Sequence, residues 1–199
     1  LNRKIMASNC IITQGLKLAS CVNNVPGLAE LFVLTSTGTS TDAQFASITY
    51  DGDGYISTFS AATTGLTWQQ IDLVRNSSAA LNEETSVNIP SLGFTFNTKL
   101  LFTIPGYSQE NTNLYQQIVK NVQSYFIVKL KTGKYFLAGA DGGMFIETAG
   151  VVSGSLPGDD QLYSLALTSN GSRSVPEMLV STDLTAFMVG TGFSIYYNN

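Results

Sequence analysis

Four groups of residues have the side-chain types for chemistry: Cys10 with Cys21, the acidic turn Asp51-Gly52-Asp53-Gly54, the adjacent acids Glu83/Glu84 and Asp159/Asp160, and Lys131-Thr132-Gly133. Two thiols cannot complete a tetrahedral zinc site alone, and the chain has no histidine to help them. Oxidised, the cysteines would close a short loop worth about 3 kcal/mol on chain-entropy grounds; reduced, they read as small buried hydrophobes. The acidic turn opens like a calcium loop, but loop position 12, which must be an acid, is Ala62. Asp-Gly between β-rich flanks is a hairpin signal, and the turn reads as one. Neighbouring acids in a chain point in different directions, whereas glycosidase chemistry needs two carboxylates facing each other across a cleft. Lys131-Thr132-Gly133 matches a fragment of the penicillin-binding signature without its Ser-x-x-Lys nucleophile, so it reads as a second turn. No nucleophile elbow, phosphate loop or dinucleotide fingerprint occurs. No catalytic residue, metal ligand or cofactor is expected, and the chain does not read as an enzyme.

The elements that hold these residues must come from 199 residues, enough for one domain of ordinary size. Hydrophobic residues make up 44%, so a sizeable core can form, while charged residues reach only 12%, half the usual share of roughly 25%. Ser, Thr, Asn and Gln supply 65 positions. Solubility therefore rests on neutral polar groups, and neutral surface is what the cores of interfaces between copies favour. A net charge of −4 argues against binding nucleic acid by charge. No apolar run approaches the ~20 residues of a membrane span. Arg3 and Lys4 precede no apolar signal core, so neither membrane insertion nor standard export is expected. Lys99, Lys120, Lys129, Lys131 and Lys134 form a basic stretch, and residues 135–199 carry six acids against Arg173. The two stretches could meet head to tail between copies, or be two unrelated solvated faces.

Strand signals dominate the walk along the chain. Leu28 to Leu34 is an apolar run, and Gln44 to Ser60 folds back at Asp51-Gly54. Trp68 to Val74, Phe94 to Ile104, Tyr125 to Lys131, Lys134 to Ala138, Met144 to Thr148 and Leu162 to Leu167 add further strands. Met178 to Val180, Phe187 to Val189 and Phe193 to Tyr197 complete them, with Gly150 to Asp160 as a connection. Residues 76–93 show weak periodicity and read as a long loop, a length that is usually functional. One helix is expected over about 109–123, capped by Ser108, with Leu114, Ile118 and Val122 on one stripe beside Tyr115 and Val119. The fold class is mainly β (α+β): a β-sandwich or barrel with one packed helix, in a single domain.

Two stretches carry a family resemblance. Cys10-Ile11-Ile12-Thr13-Gln14-Gly15-Leu16-Lys17-Leu18-Ala19-Ser20-Cys21 resembles the N-terminal opening of tail structural proteins from phages of gut Bacteroidetes, crAss-like phages among them. Gly133 to Gly139, Ser153-Gly154, Asp159-Asp160 and Tyr163-x-Leu165-x-Leu167 are similar to the closing half of that group and of tail-tube proteins generally. Ser20 stands where that pattern has an acid, and 182–199, a C-terminal extension, has no counterpart in it. The resemblance implies a tail-tube-like fold and a ring-forming protein of the virion tail or neck, made in the host cytoplasm. Its partners would be further copies of itself and other tail, neck or portal proteins, with DNA passing through without specific binding. The ring-joining parts map to an N-terminal arm, 1–20, with Ile5, Ile11, Ile12 and Leu16, and to the long loop, with Asn76, Ala80, Leu81, Glu83, Glu84 and Ile89. An acidic lumen would suit DNA passage, since like charge keeps phosphates from sticking.

A second reading belongs to another class. A carbohydrate-binding or adhesin-type β-sandwich would present exposed aromatic side chains for stacking on sugars, with Trp68, Tyr107 and Tyr196 as candidates.

Overall fold

The structure, a computed structural model, describes residues 27–36, 45–62, 65–73, 79–88, 93–154, 161–180 and 183–197. The arm 1–20 with Ile5, Ile11, Ile12 and Leu16, both cysteines, Asn76, Ile89 and Asp159/Asp160 lie outside the described residues. In chain order the elements are β1 (Leu28–Ser36), β2 (Phe45–Tyr50), β3 (Ile56–Ala61), β4 (Leu66–Ile71), β5 (Ala80–Asn88), β6 (Gly93–Pro105) and α1 (Gln109–Lys120). They continue as β7 (Phe126–Leu130), β8 (Tyr135–Ala138), β9 (Phe145–Val152), β10 (Leu162–Gly171), β11 (Glu177–Met178), α2 (Leu184–Met188) and β12 (Ser194–Tyr196). The chain is mainly β, with helices packed on two sheets.

An eight-stranded sheet runs β12-β4-β1-β7-β8-β11-β3-β2 and a four-stranded sheet runs β5-β6-β10-β9. Strands β1 and β7 sit in the middle of the large sheet and are apolar from Leu31 to Leu34 and from Phe126 to Val128, where both their faces are buried. Leu31, Val33, Phe126 and Val128 face the small sheet, where they meet Leu100, Phe102, Leu165 and Leu167. Phe32, Leu34 and Ile127 face the other way into an aromatic core around Trp68. The large sheet curls so that its ends meet across this second core: Phe59 on β3 and Phe45 on β2 lie 6.4 and 6.3 Å from the Trp68 ring. Backbone joins the ends as well, where Ala61 N donates to the Thr191 carbonyl.

Local chemistry explains the boundaries. At the β2–β3 turn the Asp51 Oδ1 accepts hydrogen bonds from the amides of Asp53 and Tyr55, and Gly54 takes φ +90. The acidic turn is thus a closed hairpin turn. Helix α1 starts where Ser108 Oγ accepts from Asn111 N, and Leu114 and Ile118 enter the core between the sheets. It stops at Lys120, three residues earlier than the stripe suggests. Asn121 is extended, and Val122, expected on the buried face, is 77% exposed.

Four further expectations are corrected. Residues 80–88, expected as part of a loop, are a nine-residue strand paired with β6 in unbroken register from Ala80↔Leu101 to Asn88↔Gly93. Phe187 to Val189, read as a strand, belongs largely to α2, which Asp183 caps by accepting from Ala186 N. The C-terminal segment is no appendage: Leu184, Met188 and Phe193 lie in the aromatic core, and β12 pairs with β4 in parallel. Gly150 to Val152, expected in a connection, completes β9.

Candidate assembly surfaces

The four-stranded sheet has two different faces. Leu100, Phe102 and Ile104 on β6 alternate with Lys99, Leu101 and Thr103, and Tyr163, Leu165 and Leu167 on β10 alternate with Ser164, Ala166 and Thr168. The first set in each strand is buried and the second turns outward, as the pleat requires. The outward face is neutral and short-chained across its middle, where Ala80, Leu101, Ala166 and Thr148 stand in one cross-strand row. Its charges are Lys99 and Glu147, paired at 3.2 Å, and Glu84. The strongly acidic face anticipated for a lumen is not what this side presents.

The same sheet has two long open edges, since β5 and β9 have no outer neighbour among the described residues. Proteins protect such edges with lysine, proline or short strands. Neither β5 nor β9 contains a lysine or a proline, and they run nine and eight residues. Their protection is limited to an irregularity on β9 between its pairs with Ala166 and Leu167 and to the carboxylates Glu147 on β9 and Glu83 and Glu84 on β5. Phe145, Val151 and Val152 on β9 are 42%, 47% and 49% exposed.

At one end the β5–β6 hairpin outgrows its sheet. Strand β10 stops at Gly171, opposite Phe96, while β5 and β6 continue through the pairs Ser86↔Thr95, Val87↔Phe94 and Asn88↔Gly93. These residues are exposed wherever their side chains are described. Val87 and Phe94 are 63% and 58% exposed, and Phe94 meets Phe96 edge to face at 5.7 Å. A two-stranded ribbon is marginal in water without a surface to lie on.

Of the residues expected to join copies, Ala80 begins β5 on the outward face, and Leu81 packs against the core instead of facing a partner. Glu83 is engaged within the chain, its carboxylate accepting from Ser174 Oγ at 2.8 Å and Val175 N at 2.7 Å. Glu84 points to the opposite face and is exposed. Sequence reasoning missed Val87, Phe94 and Phe96 as the apolar stripe of this projecting end of the β5–β6 hairpin, the β5–β6 arm. Their signal was present: apolar side chains directly opposite one another across a register that the loop reading concealed.

Charge is used largely inside the chain. Lys99 pairs with Glu147, Lys129 with Glu30 at 2.6 Å and Lys134 with Glu177 at 2.8 Å. Two of these join the basic stretch to the acidic stretch within one copy, leaving Lys120 and Lys131 without an ion pair among the described residues. The Glu30 carboxylate accepts from the Lys129 ammonium and holds its pKa above the ordinary lysine value. Glu177 does the same for Lys134. Burial raises the Tyr125 phenol, and burial with the nearby Asp141 charge raises that of Tyr50. Of these groups Tyr50 lines a small pocket, with Asp141, Arg173 and Ser174. No three metal-ligating side chains cluster among the described residues, and no helix there is long and apolar enough to cross a membrane.

Comparison with protein-family models, curated proteins and solved structures finds no match to this chain. The reading of its surfaces therefore rests on geometry.

That geometry separates the sugar-stacking candidates. Trp68 is fully buried at the centre of the aromatic core. Tyr107 is 44% exposed and leans edge-on against Tyr163 at 5.1 Å, while Tyr196 stands alone on β12 at the opposite sheet's edge.

Proposed function

We propose that this chain is a non-enzymatic structural protein of a phage virion, assembling head to tail with its own copies into rings of the tail or neck through which DNA passes. The observation that carries the reading is the pair of long edges on one four-stranded sheet that no described strand covers. The edges differ, so pairing β5 of one copy with β9 of the next is heterologous, and heterologous contacts close into rings when the rotation allows. Closure would join the small sheets of successive copies into one continuous wall and leave no edge open. The outward face would then line the conduit; its middle row is neutral, and its one cation, Lys99, is already paired with Glu147, so it offers phosphates little to bind. The family resemblance of residues 10–21 and of the stretch from Gly133 to Leu167 supports the same reading. So does the β5–β6 arm, whose apolar stripe is left uncovered by the described residues.

Mass photometry and negative-stain microscopy across a concentration series test it, with Val151→Lys alongside. Rings or stacked tubes are expected for the parent. Val151 lies on the core-ward face of β9 yet is half exposed, so a lysine there blocks edge pairing while leaving the fold intact. A parent that stays monomeric at every concentration while binding glycans would overturn the proposal in favour of the carbohydrate-binding reading.

A further inference from the structure

We infer that Glu83 is a clasp that sets the direction of the β5–β6 arm and so governs whether the arm meets its partner; the inference rests on reading the arm as an assembly element. The arm's last fixed points can be followed outward along β5. Leu81 packs on the core, Glu83 holds Ser174 and Val175 through both carboxylate oxygens, and from Thr85 onward the described side chains are exposed. The clasped loop, 171–176, is itself firmly seated. Ser172 donates from N and Oγ to Asp141 Oδ2, the Arg173 guanidinium lies over the Tyr50 ring at 4.7 Å, and Leu137 N donates to the Pro176 carbonyl. Through that loop Glu83 ties the arm of the small sheet to β2 and β8 of the large one.

Leverage makes this position consequential. Glu83 lies two residues before Thr85, the last position of the hairpin backed by β10, and three residues separate Thr85 from Asn88, about 10 Å of strand. A swing of about 15° at the root therefore moves the end of β5 by about 2.6 Å, more than the tolerance of a packed contact. Glu84, one residue on and facing the opposite way, makes no hydrogen bond or ion pair among the described residues. It carries the same charge on the same strand without the clasp.

The test reads the arm in the monomer, before any assembly. Nitroxides are placed at Ser86→Cys on the arm and Gln116→Cys on α1, in a full chain with Cys10→Ser and Cys21→Ser, below the assembly threshold. Electron–electron resonance then gives the distance distribution. The parent, E84A and E83Q are expected to be narrow, because a glutamine can still accept from Val175 N while its amide donates to the Ser174 hydroxyl. E83A should widen the distribution at least twofold and raise the assembly threshold roughly tenfold, the factor expected for losing such hydrogen bonds. S174A, which removes one donor, should fall between them. A narrow E83A distribution overturns the clasp, whatever the assembly result. A widened arm with an unchanged threshold overturns its role in assembly. If no variant assembles, the parent included, the ring reading fails while the distances still decide whether Glu83 holds the arm.

Discussion

Replacing the arm's apolar pair, Val87→Thr with Phe94→Thr, separates assembly from folding. In the free chain Val87 and Phe94 are 63% and 58% exposed, so their removal takes little from the monomer. Threonine keeps the β-branched shape of Val87 and is a good strand former in place of Phe94, and a Thr–Thr pair directly across two strands is itself favourable. In an assembled ring the stripe is covered. Burying a whole phenylalanine or valine side chain is worth roughly 1.5–3 kcal/mol, so covering the exposed fraction gives about 1.5 kcal/mol for Phe94 and about 1 for Val87. Losing both weakens each contact between copies by roughly sixtyfold. The assembly threshold, read by mass photometry over a dilution series, should rise by about that factor, with the urea midpoint of the monomer moving by less than about 0.5 kcal/mol in free energy. A threshold within twofold of the parent, at an unchanged urea midpoint, would refute the reasoning, because the stripe would then be shown to stay in water. A large fall in the urea midpoint would refute it differently, by showing that the stripe supports the fold itself.

Two further outcomes concern the body. Leu184→Ala should cost about 2–5 kcal/mol, the range for emptying a fully packed aliphatic site, and should lower the urea midpoint of the whole domain in one transition; a loss below about 0.5 kcal/mol would make residues 182–199 an appendage after all. Stability should also fall on the alkaline side. Tyr50 and Tyr125 are raised above the ordinary tyrosine value of 10.0, and Lys129 and Lys134 above the lysine value of 10.5. In each, the fold binds the proton more tightly than the unfolded chain does, so the stabilisation is whole below the unfolded values and drains away as pH rises through the folded ones. A urea midpoint that is level from neutral to about pH 9 and declines above about pH 10 is expected, with Tyr125→Phe blunting the decline; a midpoint that rises through that window would contradict the sign.

The parts of this fold legible in the sequence are those where one local rule acts alone. Asp51-Gly54 announces its hairpin because a side-chain acceptor and a positive φ are both needed there, and Ser108 announces α1 in the same way. Strands β6 and β10 alternate because each has one dry face and one wet face. Strand β5 was hidden for the complementary reason: from Asn82 to Val87 both faces are exposed, so nothing in Asn-Glu-Glu-Thr-Ser-Val imposes a period of two. Helix α2 is a single turn, too short for a stripe, and only its cap distinguishes it. Of the expected assembly residues, Leu81 could not be separated from Val87 by type, since one lies over the core and the other beyond its end. Glu83 and Glu84 could not be separated either until the strand gave them opposite faces.

The spine of the large sheet also dictates an order of events in time. Leu31 meets Val128 in the β1–β7 ladder, and Trp68 meets Ile195 in the β4–β12 ladder, so most of the chain must be made before either can close. The arm requires only that Val87 find Phe94, a few residues away. Contact order places such a hairpin in the microsecond range and ladders of the first kind in milliseconds to seconds. The hairpin that carries the proposed contact surface can therefore form, though only marginally, while the body is still open. A newly made chain carries sticky edges through the slowest part of its folding, and its yield in a crowded cell becomes a race between closing the spine and meeting a neighbour too early.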